Sequence, residues 1–268
     1  MWSSQENVSV QQPKDKLAIW EQFLYAFKGA KYYPALLAQR KISKIQFFFF
    51  LLLVICVFTV FVPVTGYLIG VGGIGNYIEE KIPNFTLQDG QLWMDGTIAY
   101  ENATMKLYGD ANIERYTQTD VDKEAYMQIL VSRTNVLVYS GGYVMDYPFA
   151  QYSAVTFSKD DLQDMVPLLY CMMLFGVVIM ICSQALNLLL TILMFVLVGQ
   201  ISNYMYQYRL RFGQMFVLAL YAVTITFTLE SVNASLQLVS GTIVSMVGMI
   251  WAAVNYFTAL AICGRKNQ

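Results

Sequence analysis

Hydrophobic positions in this chain gather into long unbroken runs, separated by one hydrophilic block with a different rhythm. No charge lies between Lys44 and Glu79. The run from Ile45 to Ile69 is long enough to cross the roughly 30 Å hydrocarbon core of a bilayer. It starts too late and runs too long for a cleaved leader, so it reads as a signal-anchor helix. Pro63 is expected to kink its outer half, and the glycines at Gly66, Gly70, Gly72, Gly73 and Gly75 to end it. A second run is charge-free from Met165 to Tyr208. It is overlong for one span: either a strongly tilted helix with a cytoplasmic extension, or two short spans broken near Ser183-Gln184-Ala185. Two more runs complete the pattern, one starting at Phe212 and one ending at Cys263.

Charge placement chooses between these. Lys14, Lys16, Lys28, Lys31, Arg40, Lys41 and Lys44 precede the first run, against Glu6, Asp15 and Glu21. By the positive-inside rule this segment stays in the cytoplasm, and the first helix delivers the hydrophilic block to the outside. A single second span returns Arg209 and Arg211 to the cytoplasm. The third places Glu230 near the outer boundary, and the fourth returns Arg265 and Lys266. Four spans put every basic cluster on one side; five would not. The expected organisation is a cytoplasmic segment over 1–44, a first helix over 45–75, an extracytoplasmic domain over 76–164, and a bundle over 165–268 with helices at about 165–207, 212–232 and 239–263.

The N-terminal segment looks helical over 14–46. Leu17, Trp20, Phe23, Leu24 and Phe27 recur at helical spacing, and Pro34 is expected to break the helix. It reads either as a helix docked on the bundle's own face or as an interfacial helix that binds lipid or a partner.

The block over 76–164 holds fourteen acids and six bases, a local net of −8, and suffices for one small domain. Asp89-Gly90 and Asp95-Gly96 between alternating apolar residues are hairpin signals, and Ser140-Gly141-Gly142 is another. Between them a helix is expected, capped by Thr119, with Asp120, Asp122 and Glu124 in its first turn and Ala125, Ile129 and Leu130 as its buried stripe. Ser158-Lys159-Asp160-Asp161 has a capping-box pattern leading into the second run. The fold class is therefore an α-helical integral membrane protein of about four transmembrane helices, with a small extracytoplasmic α+β domain between the first two.

Composition narrows the chemistry. Apolar residues make up 57% of the chain and charged ones 13%, about half the charge of a soluble domain. There is no histidine, and Cys56, Cys171, Cys182 and Cys263 all sit in apolar runs. No disulfide framework, zinc site, nucleophile-base pair or phosphate loop is visible, so neither an enzyme nor a cofactor is expected. The acids at Asp110 and Glu114 lack the glycine and closing acid of a calcium loop. Sequons stand at Asn7, Asn84, Asn102 and Asn233 and matter only in a eukaryotic secretory pathway. Aromatics of the block, among them Trp93, Tyr126 and Tyr143, read as core and cross-strand pairs, or as a stacking surface for a ligand or partner. Gln184, Asn187 and Thr191 fall on one helical face, either an interhelical hydrogen-bonding seam or part of a transport path. Glu230, Arg209 and Arg211 are candidate boundary or coupling groups. The expected partners are the lipid bilayer, another membrane protein, or further copies of the chain, with no nucleic acid.

Three segments carry a family resemblance. Ile82-Pro83-Asn84-Phe85-Thr86-Leu87-Gln88-Asp89-Gly90-Gln91-Leu92 is similar to a Pro-x-Phe-x-Ile-x-x-Gly-x-Leu motif that comes after the first span in the bacterial DUF1189 family. Tyr208-Arg209-Leu210-Arg211-Phe212 is similar to its Tyr-Arg-x-x-Phe segment. Leu220-Tyr221-Ala222-Val223-Thr224 is similar to its Leu-Tyr-Ala-x-Thr-Pro, with Ile225 in place of the proline. The resemblance covers most of the chain in order. It implies four or so spans, a bundle like that of the related Yip1 domain and a bacterial plasma membrane; charge placement puts both termini in the cytoplasm. Some members are labelled maltodextrin utilisation proteins, which implies a link to sugar uptake and a permease of the ABC type as partner. It supplies no catalytic residues.

Overall fold

The computed structural model describes residues 17–101, 105–236 and 238–265. Lys14, Asp15, Lys16, Lys266 and the sequons at Asn7 and Asn102 lie outside them. The chain divides into two compact units, one of residues 1–65 with 176–268 and one of residues 66–175.

The first unit is helical. It contains α1 (Ile19–Lys28), α2 (Tyr33–Leu37), α3 (Lys41–Cys56) and the start of α4 (Val62–Gly70). Four helical stretches are long and apolar enough to cross a membrane: Lys41–Gly70, Val166–Met205, Phe212–Leu236 and Gly241–Arg265. The second run is one uninterrupted helix, as charge placement required.

Pro63 does not end the first of these stretches. Residues Val57–Phe61 form a π-helical turn, in which the Val62 N–H donates to the Val57 carbonyl rather than to that of Phe58. Proline has no N–H to offer the Phe58 carbonyl, so that oxygen loses its helical donor. The Ser235 hydroxyl, from a different helix, donates to it instead. A carbonyl that hydrocarbon would leave orphaned is thereby satisfied.

The N-terminal segment is fastened to this bundle by buried polar groups. Gln22 is fully buried in α1, and its carbonyl oxygen accepts from the Tyr221 hydroxyl at 2.8 Å. Its amide nitrogen donates to Ser43 Oγ at 2.7 Å and to the Leu17 carbonyl at 3.1 Å. Asn255 Oδ1 accepts from the Ala30 N–H at 3.0 Å. Gly29, with φ +97°, is where the chain turns; a Cβ there would lie 3.0 Å from Asn255 Oδ1, so glycine is required both by conformation and by space. The break in this segment therefore falls at Gly29, and Pro34 instead occupies the first turn of α2. Trp20 and Leu24, expected on the apolar stripe, are exposed, while Gln22 and Ala26 face inward.

The second unit holds the end of α4, α5 (Ile74–Lys81), eight strands, α6 (Lys159–Asp164) and the start of α7 (Val166–Met205). The strands are β1 (Phe85–Gln88), β2 (Gln91–Met94), β3 (Thr97–Glu101), β4 (Met105–Asp110), β5 (Met127–Val131), β6 (Asn135–Ser140), β7 (Tyr143–Pro148) and β8 (Phe157–Ser158). They form two sheets, in the orders β2-β1-β8 and β3-β4-β5-β6-β7. The Asp89-Gly90 turn joins β1 to β2 with both residues at positive φ (53° and 73°), the conformation a two-residue hairpin needs. Gly141-Gly142 does the same for β6 and β7. Asp95-Gly96, expected as another hairpin, instead carries the chain from one sheet to the other, because β3 pairs with β4.

The helix expected from Thr119 is absent. Ile129 and Leu130 lie in β5, which pairs parallel to β4. A parallel pair needs a crossover, usually helical; here the link is irregular apart from one 3₁₀ turn at Gln118–Asp120. Ile113, Tyr116 and Val121 from this link cover Leu130 and Leu137 in place of a helix. The capping geometry exists but two residues earlier: Asp120 accepts from the Thr117 N–H at 2.7 Å. The Ser158–Asp161 capping box is present, with Asp161 accepting from the Ser158 N–H at 2.8 Å. Lys159, the next residue, donates to the Glu79 and Ile82 carbonyls at 2.8 and 2.7 Å and closes the C-terminal end of α5.

The remaining two helices are α8 (Phe212–Leu236) and α9 (Gly241–Arg265). The Phe47 ring of α3 lies tilted against Tyr221 of α8, with centroids 4.6 Å apart, and Ser235 of α8 reaches Phe58, so α3 and α8 run parallel. Thr226 donates to the Gly248 carbonyl at 2.7 Å across the antiparallel α8–α9 pair, where a Cβ on Gly248 would come within 2.9 Å of Thr226. Small residues set these close crossings.

Candidate functional site

The parallel run of α3 and α8 brings their N-terminal turns together, and a groove opens between them with a volume of about 850 Å³. That lies within the usual range of small-molecule sites. On α3, Lys41, Lys44, Ile45 and Phe48 share one helical face at spacings of three, one and three, so the lining changes from cationic to apolar along the axis. On the α8 side Arg211, Gln214 and Val217 repeat that gradient, and Leu189 of α7 contributes a further apolar wall. Lys44 Nζ donates to the Leu37 carbonyl at 2.6 Å, which holds it at the rim. Gln214 Oε1 accepts from the Arg211 N–H at 2.9 Å and orders the start of α8.

The neighbouring loop is also fixed. Asn203 both donates to and accepts from the backbone of Leu210, at 3.1 and 3.0 Å, and holds the α7–α8 turn in which Gln207 and Arg209 adopt positive φ. Asn233 makes the same two-way contact with Val239 between α8 and α9, at 2.9 and 3.0 Å.

The fold separates the site residues singled out from sequence. Arg211 lines the groove; Arg209, two residues earlier, is exposed and does not. Glu230 is half-buried near the far end of α8. On α7, Gln184 and Thr191 are half-buried and Asn187 is exposed, whereas the stripe turned into the bundle is Leu188, Ile192, Val196 and Gly199. Sequence reasoning missed Lys41, Lys44 and Phe48 as a site. Their three- and four-residue spacing was legible, but the basic start of a membrane helix reads first as an orientation signal.

In the second unit, polar groups close loops. Asn135 is fully buried and ties the Tyr116 backbone, Ser132 and Asp146 together. The Asn135 amide, with Arg115, holds the Asp146 carboxyl below the ordinary carboxylate value against the opposing effect of burial. Lys106 does the same for Asp122, with which it pairs at 2.9 Å. Burial pushes the Tyr116 phenol up to about 12, so it stays protonated at neutral pH. Asp110 accepts from the Asn112 N–H at 2.8 Å and so closes its own turn. The Arg133 guanidinium lies 5.2 Å above the Trp93 ring. Tyr126 and Tyr143 are 74% and 78% exposed, so these two are surface groups rather than core. Among the described residues no cluster of three or more His, Cys, Asp or Glu is placed to hold a metal ion.

The chain belongs to the DUF1189 family, described as a protein of unknown function; the family pattern matches residues 20–262. No curated protein and no solved structure matches the chain.

Proposed function

We propose that this protein is a multi-pass membrane protein without catalytic activity, which displays its strand-rich unit outside the membrane for a partner. The observation that carries the reading is the chain order: residues 85–158, with their exposed aromatics, are strung between two helices of membrane-crossing length. The basic residues of the helical unit support an orientation. Lys41, Lys44, Arg211 and Arg265 sit at the starts of α3 and α8 and at the end of α9, which the packing brings to one end. With that end cytoplasmic, as the positive-inside rule favours, residues 76–164 emerge outside. A complete lack of histidine supports the non-catalytic role. The family resemblance alone supports a plasma-membrane location in bacteria and a sugar-uptake permease as partner.

The test is purification of the tagged full chain from its native membrane in mild detergent. The reading expects a stoichiometric membrane or envelope protein that is lost when residues 80–160 are deleted. Unchanged association after that deletion contradicts it. A second reading, a solute transporter or channel subunit, rests on Gln184, Asn187 and Thr191, and a third, a ligand sensor, rests on the strand-rich unit and the N-terminal helix. Because Asn187 is exposed, a polar path through these three residues needs a second copy of the chain beside α7. Flux through reconstituted liposomes above protein-free controls would favour the second reading.

A further inference from the structure

We infer that the groove between α3 and α8 is a binding site for one anionic glycerophospholipid of the surrounding bilayer; the inference rests on the membrane reading above. Three cationic side chains, Lys41, Lys44 and Arg211, stand at one end of the groove, and among the described residues no acid lines it. Within two turns the walls become wholly apolar, through Phe48, Leu189 and Val217. A charged rim over an apolar slot matches an amphiphile with a negative head and a hydrocarbon tail. A free anion would leave the slot unfilled, and a neutral lipid would leave three cations without a counter-charge. The α8 N-terminal turn adds the positive end of a 25-residue helix at the same rim. Basic pockets between membrane helices at the cytoplasmic surface hold anionic head groups by this combination.

Gly213 contributes to the geometry. It lines the groove, and a Cβ built on it meets nothing within 4 Å. A Cβ there strikes no protein atom, so Gly213→Phe is the substitution chosen to fill the site. Lys41 and Arg211 are exposed and, among the described residues, their side chains make no hydrogen bond or ion pair, unlike Lys44.

The experiment uses the full chain in neutral detergent, with native mass spectrometry of retained lipid. The probes are dioleoylphosphatidylglycerol, dioleoylphosphatidylcholine and inorganic phosphate. The expected result is one phosphatidylglycerol retained per chain, in at least tenfold preference to phosphatidylcholine. K41Q/R211Q should lower that retention roughly 25-fold, about fivefold per charge removed. Gly213→Phe should lower retention of both lipids alike. Variants are compared at matched melting temperature, and if K41Q/R211Q fails to fold, Gly213→Phe and the lipid preference carry the test. Equal retention of the two lipids, indifference to Gly213→Phe, or capture of inorganic phosphate as readily as phosphatidylglycerol overturns the inference. Alkaline carbonate washing of the same membranes separates the two ideas. A protein that stays in the pellet but shows no lipid preference refutes only the lipid site, and a protein released by the wash refutes the membrane reading as well.

Discussion

Replacing Gly199 by alanine tests how α7 is held to the bundle. A Cβ at this position would overlap Tyr256 Oη and lie 2.8 Å from Cζ and 2.9 Å from Cε1, all well inside contact distance. Tyr256 is fully buried against Phe195, with ring centroids 5.5 Å apart, so it has little room to withdraw. Overpacking of this kind costs about 1–3 kcal/mol. The position matters because the most apolar window of α7 has none of its residues buried in the chain, and its inward stripe is short. The Tyr256 hydroxyl is buried with no hydrogen-bond partner among the described residues, so Tyr256→Phe alone should be neutral or stabilising. In the Gly199→Ala background it should also remove the shortest clash and recover part of the loss. A double-mutant cycle by thermal unfolding in detergent, read by tryptophan fluorescence, should therefore show coupling of about 1 kcal/mol or more between the two sites. Gly199→Ala with stability unchanged within about 0.5 kcal/mol would refute the packing of α7 on α9 at this crossing.

Three further perturbations probe other contacts. Ser235→Ala removes the hydroxyl that satisfies the Phe58 carbonyl and should cost about 1–3 kcal/mol, read by the same unfolding assay; Ser235→Thr should retain most of it. Gln22→Leu strands the Tyr221 hydroxyl inside the bundle, and should speed tryptic cleavage at Lys28 and Lys31 while the rest of the chain stays folded. The Asp146 carboxyl is held below its ordinary value, so its contribution to the strand-rich unit is complete above about pH 4 and is lost as pH falls through the depressed folded value. Circular dichroism of the full chain from pH 7 to 2 should show Asp146→Asn losing less strand signal on acidification than the parent does.

The membrane-length runs were legible because they depend only on the absence of charge over a fixed length, which no tertiary context alters. The single 40-residue α7 was legible once the basic clusters were required to share a side. The Asp-Gly and Gly-Gly turns at 89–90 and 141–142 were legible because positive φ is a local demand. Asp95-Gly96 showed that a turn signal does not say which strand the chain will pair with next. The stretch from Thr119 failed for a related reason. Three acids and a capping threonine resemble a helix start, but Gln128 and Leu130 are buried in alternation, and pairing with β4 and β6 decides the conformation. In the N-terminal segment the apolar stripe misled because the inward face of α1 carries Gln22, whose partners Tyr221 and Ser43 lie far away in sequence. The groove combines Lys41 with Arg211 across 170 residues, and no local pattern announces that meeting.

The central claim, four crossings with the strand-rich unit outside and the basic end inside, is tested most directly by single-cysteine labelling. In a full chain with Cys56, Cys171, Cys182 and Cys263 replaced by alanine, cysteines are placed one at a time at four exposed positions: Ala38, Tyr143, Tyr204 and Leu238. With a membrane-impermeant maleimide on intact cells, Tyr143→Cys and Leu238→Cys should label, and Ala38→Cys and Tyr204→Cys should label only after permeabilisation. Labelling of Ala38→Cys in intact cells, or protection of Tyr143→Cys, would contradict the account.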